Sequence, residues 1–219
     1  MNAFACTLAT LAMAGAAAAQ TPATPQSSIP PPTATQKTTT APQPPARMEL
    51  STWLKNQHQN LKLNLTQSAA KMADEDYRFK PAGVAPEVRD FGMFIGHLAT
   101  SNNLYCALAD GKPISSRPQI GRDEKSGNEV AATMTKAELV KALDEALAYC
   151  DTVYGQLTDG NALEMLTVQA GSMQRQVTRA QYLVANLAHN NEHYGNIVTY
   201  LRAKGLVPPS TERAAQMSR

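Results

Sequence analysis

Apolar positions recur with a helical period in four stretches of the chain, and no stretch alternates convincingly as a strand would. From Glu49 to Met72 the stripe is Trp53, Leu54, Leu61, Leu65, Ala69 and Met72. From Phe91 to about Ala109 it is Phe91, Phe94, Ile95, Leu98 and Leu104, with Asp90 placed to cap the start and Gly111 to stop the end. Thr135-Lys-Ala-Glu138 reads as a capping box opening a third helix, Lys136 to about Leu157, whose stripe is Leu139, Val140, Leu143, Ala146, Leu147, Cys150 and Val153. The fourth and longest runs from Thr178 to Gly205, with Leu183, Leu187, Tyr194, Ile197, Val198 and Leu201 facing inward and Pro208 and Pro209 just beyond.

Four amphipathic helices without strands or repeats predict an all-α four-helix bundle over residues 47–210. The segment 73–90 breaks the first helix from the second at Pro81 and Pro86. Residues 111–134 read as a long polar connection, 158–177 as a connection of no clear type, and 211–219 as a frayed tail. The long connections leave more than one connectivity open.

Composition changes the picture before residue 47. Residues 1–19 are apolar and end in small side chains, the pattern of an export signal, although no Lys or Arg precedes the apolar run. Residues 20–46 hold eight of the 14 prolines among Thr, Gln, Ser and Ala, which predicts an extended tether rather than a core. An exported protein, periplasmic or secreted, with no membrane-spanning helix in its mature form is the resulting expectation. Of the 20 basic residues only Lys37 and Arg47 precede residue 48, so 18 remain to face 18 acids, all of them beyond that point. A neutral domain of this kind argues against a nucleic-acid surface.

Candidate chemistry lies with histidine and cysteine. His189 and His193 are four residues apart on the last helix, so both imidazoles fall on one face, near Tyr182, Asn186, Asn196 and Tyr200. His97 stands on the inward side of the second helix, whereas His58, among Gln57, Gln59 and Asn60, reads as facing solvent. Three imidazoles from two rigid helices form a trigonal ligand set for a divalent ion and leave coordination positions open, an arrangement associated with chemistry rather than structure. Asn186, Asn190 and Asn196 are candidates for orienting those imidazoles. Glu192 and Tyr194 turn away from the histidine face. Cys106 and Cys150 are an even pair in a chain expected to be exported, which favours a disulfide; two buried thiols are the alternative.

With DEDYRFKP early in the domain, GHL in the second helix and AHNNEHYGNIVTYLRAKGLVPPS at the end, the sequence from about Met48 to Ser210 resembles the DinB-like family of damage-inducible proteins. The resemblance implies a bundle of up-down-down-up topology, often a homodimer, with a divalent metal held by three histidines. Carried over, these are His97, His189 and His193. The metal implied is zinc or nickel first, with iron and manganese as further candidates. Some relatives transfer thiols, so the resemblance implies a metal-dependent enzyme acting on a small molecule, by thiol transfer or by hydrolysis. The alternative is a binding or stress-response module that holds metal or ligand without turnover. The export signal and tether depart from the family pattern and weaken the thiol reading, since the oxidising exterior lacks the cytosolic thiol pools.

Overall fold

Asp90 Oδ1 accepts from the Met93 backbone N–H at 2.7 Å, and Thr135 and Glu138 close a reciprocal capping box, so two of the predicted helix starts are fixed by their own side chains. In the computed structural model, which describes residues 47–170 and 172–218, the elements in order are α1 (Leu50–Lys71), α2 (Phe91–Ala109), α3 (Glu124–Thr133), α4 (Lys136–Gly155), the strands β1 (Met165–Ala170) and β2 (Met173–Thr178), α5 (Arg179–Ala203) and α6 (Pro209–Met217). The expected export signal (1–19) and tether (20–46) lie outside the described residues. Gly205, at φ 73°, ends α5 in a Schellman motif: Leu206 N–H reaches the Leu201 carbonyl at 2.9 Å, and only glycine takes that φ freely.

The four long helices pack as a bundle in which α1 and α2 are each flanked by α4 and α5. Their directions follow from bonds near the ends. The start of α1 is tied to the chain beyond α4 by Leu50 and Ser51 N–H groups donating to Asp159. Lys136, at the start of α4, donates to the Met72 carbonyl beyond the end of α1 at 2.8 Å, so these two run antiparallel. Tyr200, near the end of α5, donates to the Arg89 carbonyl just before α2 at 2.6 Å, so α2 opposes α5. Lys71, at the end of α1, reaches Val207 and Glu212 beyond α5, so those two run parallel. The topology is up-down-down-up, as the resemblance implied.

The core is divided by a polar belt. One apolar cluster gathers Leu65, Phe91, Ile95, Leu98, Leu139, Leu143, Leu147, Ile197 and Leu201; a second gathers Leu54, Leu61, Cys106, Cys150, Tyr154 and Leu183. Between them Asn102 accepts from the Asn186 and Asn190 amides, each at 2.9 Å, and donates to the Leu98 carbonyl, while Tyr154 donates to the Leu183 carbonyl. These polar groups are fully buried, and their mutual bonds offset the desolvation that burial costs. Cys106 on α2 and Cys150 on α4 lie at disulfide distance, Cα to Cα 5.4 Å, across this packing.

Several sequence expectations are corrected. The connection 111–134 is not a plain loop: it holds a short 3₁₀ turn at Ile114–Ser116 and the helix α3, capped by Asp123 and Ser126. Only Ala131 of α3 is fully buried, so no apolar stripe announced it. The connection 158–177 is largely a β-hairpin in which Val168 and Val177 alone are fully buried among the residues described, packed with Leu108 at the end of α2. Two valines are too few to register as alternation, and the Gly-Ser dipeptide at 171–172 was the one turn signal between the two strand segments. The expected frayed tail, 211–219, holds most of α6, whose Arg213 and Glu212 bond Asn64 and Lys71 on α1. Trp53, counted with the apolar stripe of α1, is instead 47% exposed.

His58 does not face solvent. It is wholly buried, its ring stacked on Tyr154 at 4.2 Å between centroids and its Nε2 2.9 Å from Asp151 Oδ1. Its polar neighbours in sequence misled; its place four residues after Leu54 and three before Leu61 puts it on the inward stripe.

Candidate metal centre

Because α2 and α5 run in opposite directions with the end of α5 beside the start of α2, His97 in the second turn of α2 meets residues in the middle of α5. His189 and His193, one turn apart, both reach it. The three Nε2 atoms form a triangle with every edge 3.1 Å. His97, His189 and His193 would hold a divalent ion through these three nitrogens, and three protein ligands are the number at which such an ion keeps a position for water or substrate. The donor set, three imidazole nitrogens converging on one point, fits a divalent transition ion.

Hydrogen bonding alone does not satisfy this triangle. A neutral imidazole nitrogen is either a donor or an acceptor. Three nitrogens in mutual contact cannot alternate, so at least one pair must set two lone pairs or two hydrogens face to face. With a cation bound, all three nitrogens would serve as lone-pair ligands and the conflict would be removed. The protonation state suits this. Burial foremost, with Arg89 next and the neighbouring imidazoles after it, pushes His97 down to about 3. Burial and the charges of His193 and Arg89 push His189 down to about 4. Burial lowers His193 too, against the opposing pull of Glu192. The imidazoles are therefore neutral near pH 7 and need not shed protons to bind an ion.

The surroundings are mostly aromatic. Phe94 lies against His193 and Tyr105 against His189, with ring centroids 5.7 and 5.4 Å apart. Of the three asparagines expected to orient imidazoles, only Asn196 touches one, its amide 3.4 Å from His193 Nδ1. With Nε2 on a metal, Nδ1 carries the proton, and a flipped amide would present its oxygen there. Asn186 and Asn190 point instead into the core belt, because residues three before and one after His189 fall on the adjoining buried face of α5. The Nδ1 of His189 is buried without a protein partner. Tyr194 bonds Ser210 and Glu192 is exposed, both away from the triangle as expected.

His97 also lines a pocket of about 680 Å³ whose far wall is the segment 113–128. Its apolar surface comes from Leu104, Ile114 and Ile120, its polar surface from Ser101, Gln119, Glu124 and Asn128, among others. The wall is held tightly: a Cβ on Gly121, whose φ is 77°, would lie 2.2 Å from the Gly127 nitrogen. Glu124 and Asn128, one turn apart on α3, both bond Arg89, whose guanidinium stands 5.8 Å from the Phe94 ring centre. Sequence reasoning missed Arg89, Gln119, Glu124 and Asn128. The unusual length of the 111–134 connection was the one hint that this segment matters. The cysteine pair stands apart from the triangle, Cys106 being nine residues beyond His97, about 13 Å along α2.

Comparison with known proteins agrees with this architecture. A conserved protein from Enterococcus faecalis has a similar fold at 16% identity, with 72% of this chain and 98% of that one aligned and a TM-score of 0.54. A DinB-like protein from Bacillus subtilis does so at 18% identity, over 70% of this chain and 92% of its own, with a TM-score of 0.50. The mycothiol-dependent maleylpyruvate isomerase aligns at 11% identity over 67% of this chain and 60% of its own, with a TM-score of 0.49, too distant to bear on chemistry. No curated protein sequence matches the chain. Residues 57–197, which include all three histidines of the triangle, match the DinB superfamily, and the chain belongs to that family.

Proposed function

We propose that this protein binds a divalent transition metal through His97, His189 and His193 and is a metal-dependent enzyme acting on a small molecule. The observation that carries the reading is the Nε2 triangle with 3.1 Å edges, one corner of which lines a pocket large enough for a substrate. A bound ion of this kind lowers the pKa of a coordinated water or thiol, the chemistry of hydrolysis or of thiol transfer. The chain's own residues would hold the ion and keep its ligands neutral through burial, while Phe94 and Tyr105 pack against the His193 and His189 rings. Pairing of Cys106 with Cys150 supports an oxidising compartment and therefore export, which favours hydrolysis over transfer of a cytosolic thiol. Zinc and nickel suit an all-imidazole set best.

A non-catalytic metal-holding module is the second reading. It is favoured by one fact: among the described residues no carboxylate hydrogen-bonds any of the three histidines. The test is elemental analysis of protein purified without chelators, beside His97→Ala, His189→Ala and His193→Ala. About one ion per chain, lost in each variant, is expected, followed by turnover in a screen of hydrolase and thiol-transfer substrates. Metal without turnover would favour the module; no metal after reconstitution would overturn both.

A further inference from the structure

We propose that the pocket beside His97 selects a small organic carboxylate, and that Arg89 is the residue that recognises it by exchanging Glu124 for the substrate. The proposal rests on the reading of this pocket as the place where substrate lies. Arg89 sits just before α2, with its side chain only 14% exposed. Its Nε donates to Asn128 Oδ1 at 2.9 Å, and its terminal nitrogen pairs with Glu124. The two partners of this ion pair are unlike. The guanidinium is held between α3 and the Phe94 ring, whereas the Glu124 side chain is 74% exposed. A largely buried guanidinium is costly to leave without an anion, and an exposed carboxylate can swing into water at little cost.

Both side chains that hold Arg89 also line the pocket, together with His97. Arg89 itself stands behind this wall, so an acid group entering there would reach the guanidinium by displacing Glu124, and two oxygens can meet its planar fork. The Gln119 amide nitrogen is buried at the pocket wall without an acceptor in the protein, a donor left for the ligand. Leu104, Ile114 and Ile120 would cover an apolar body, so the substrate class is a carboxylate carrying a small hydrophobic group.

Benzoate and its uncharged counterpart benzamide are suitable probes, titrated into the metal-stripped full chain and followed by ligand-observed NMR. Benzoate is expected to bind and benzamide to bind at least about tenfold more weakly. Arg89→Gln should abolish the difference between them. Glu124→Gln should tighten benzoate about two- to fivefold, because the competing exposed carboxylate is gone. A gain of binding cannot come from misfolding, so this variant guards against an Arg89 variant that merely unfolds. Equal binding of the two probes, or no gain in Glu124→Gln, would overturn the proposal. The metal reading fails separately, by elemental analysis. Benzoate selectivity through Arg89 in a protein that takes up no metal would sink that reading and leave this one standing.

Discussion

The three lowered imidazoles make a quantitative claim about metal affinity and pH. An imidazole of ordinary pKa near 6.5 is about nine-tenths protonated at pH 5.5 and must lose that proton to ligate, a cost of about tenfold in affinity. Three ordinary histidines would therefore lose about a thousandfold between pH 7.5 and 5.5. Here His97, at about 3, and His189, at about 4, stay unprotonated at pH 5.5 and contribute nothing to the loss. His193 is lowered as well, so its contribution stays below about tenfold. The total loss expected is less than about tenfold. Zinc affinity measured by competition with a fluorescent chelator at pH 7.5, 6.5 and 5.5, corrected for the chelator's own protonation, gives the answer. A fall approaching a thousandfold, with three protons released per ion below pH 6.5, would mean that the imidazoles are solvated and the buried triangle is wrong. The same shifts bear on the metal-free fold with a definite sign. The unfolded chain binds protons on these histidines near pH 6.5 while the folded chain refuses them, so their contribution to stability is fully present above pH 6.5 and is lost as pH falls below it.

The remaining predictions concern what holds the site in place. The cysteines are 44 residues apart in sequence, so their closure would contribute about 4 kcal/mol by loop entropy; urea unfolding should shift markedly on adding reductant, and superposable curves would mean the thiols are unpaired. Asn102→Ala removes the acceptor for both the Asn186 and Asn190 amides and should cost about 2–4 kcal/mol in chemical denaturation, against near-neutrality if water enters to replace it. Gly121→Ala forces a side chain into a positive φ and against Gly127, so it should lower the melting temperature and weaken benzoate while leaving zinc affinity unchanged; an unaltered pocket would show that the 119–128 wall is less constrained than its geometry implies.

Much of this was legible in the chain because the long helices announce themselves by period and cap. Asp90, Thr135 with Glu138, and Gly205 placed three boundaries within a residue or two. His97, His189 and His193 were legible too, since a pair one turn apart needs only one inward partner on a neighbouring helix. The parts that escaped carry few buried apolar groups. Helix α3 buries Ala131 alone, and the hairpin seats Val168 and Val177, so neither produces a periodic signal. Their value is in position: α3 supplies Glu124 and Asn128 to the pocket, and that follows from where the chain doubles back, which no local pattern records. His58 was misread because its immediate neighbours are polar, although its helical phase was inward.

The asparagine belt explains why the triangle can be so regular. Two smooth apolar helices can slide past one another by a turn, about 5.4 Å, with little loss of burial. Here Asn102 on α2 is five residues beyond His97, and Asn186 and Asn190 on α5 bracket His189 by three and one. A slip of one turn between α2 and α5 would break the three bonds that join Asn102 to Asn186 and Asn190 and leave those buried amide atoms short of partners, costing several kcal/mol by the usual penalty for such groups. The same slip would pull His97 away from His189 and His193. The belt therefore holds α2 and α5 in the one register at which three Nε2 atoms meet, through bonds placed where water cannot compete for them. On this view Asn186 and Asn190 bear on the site through helix register and not by touching a ring.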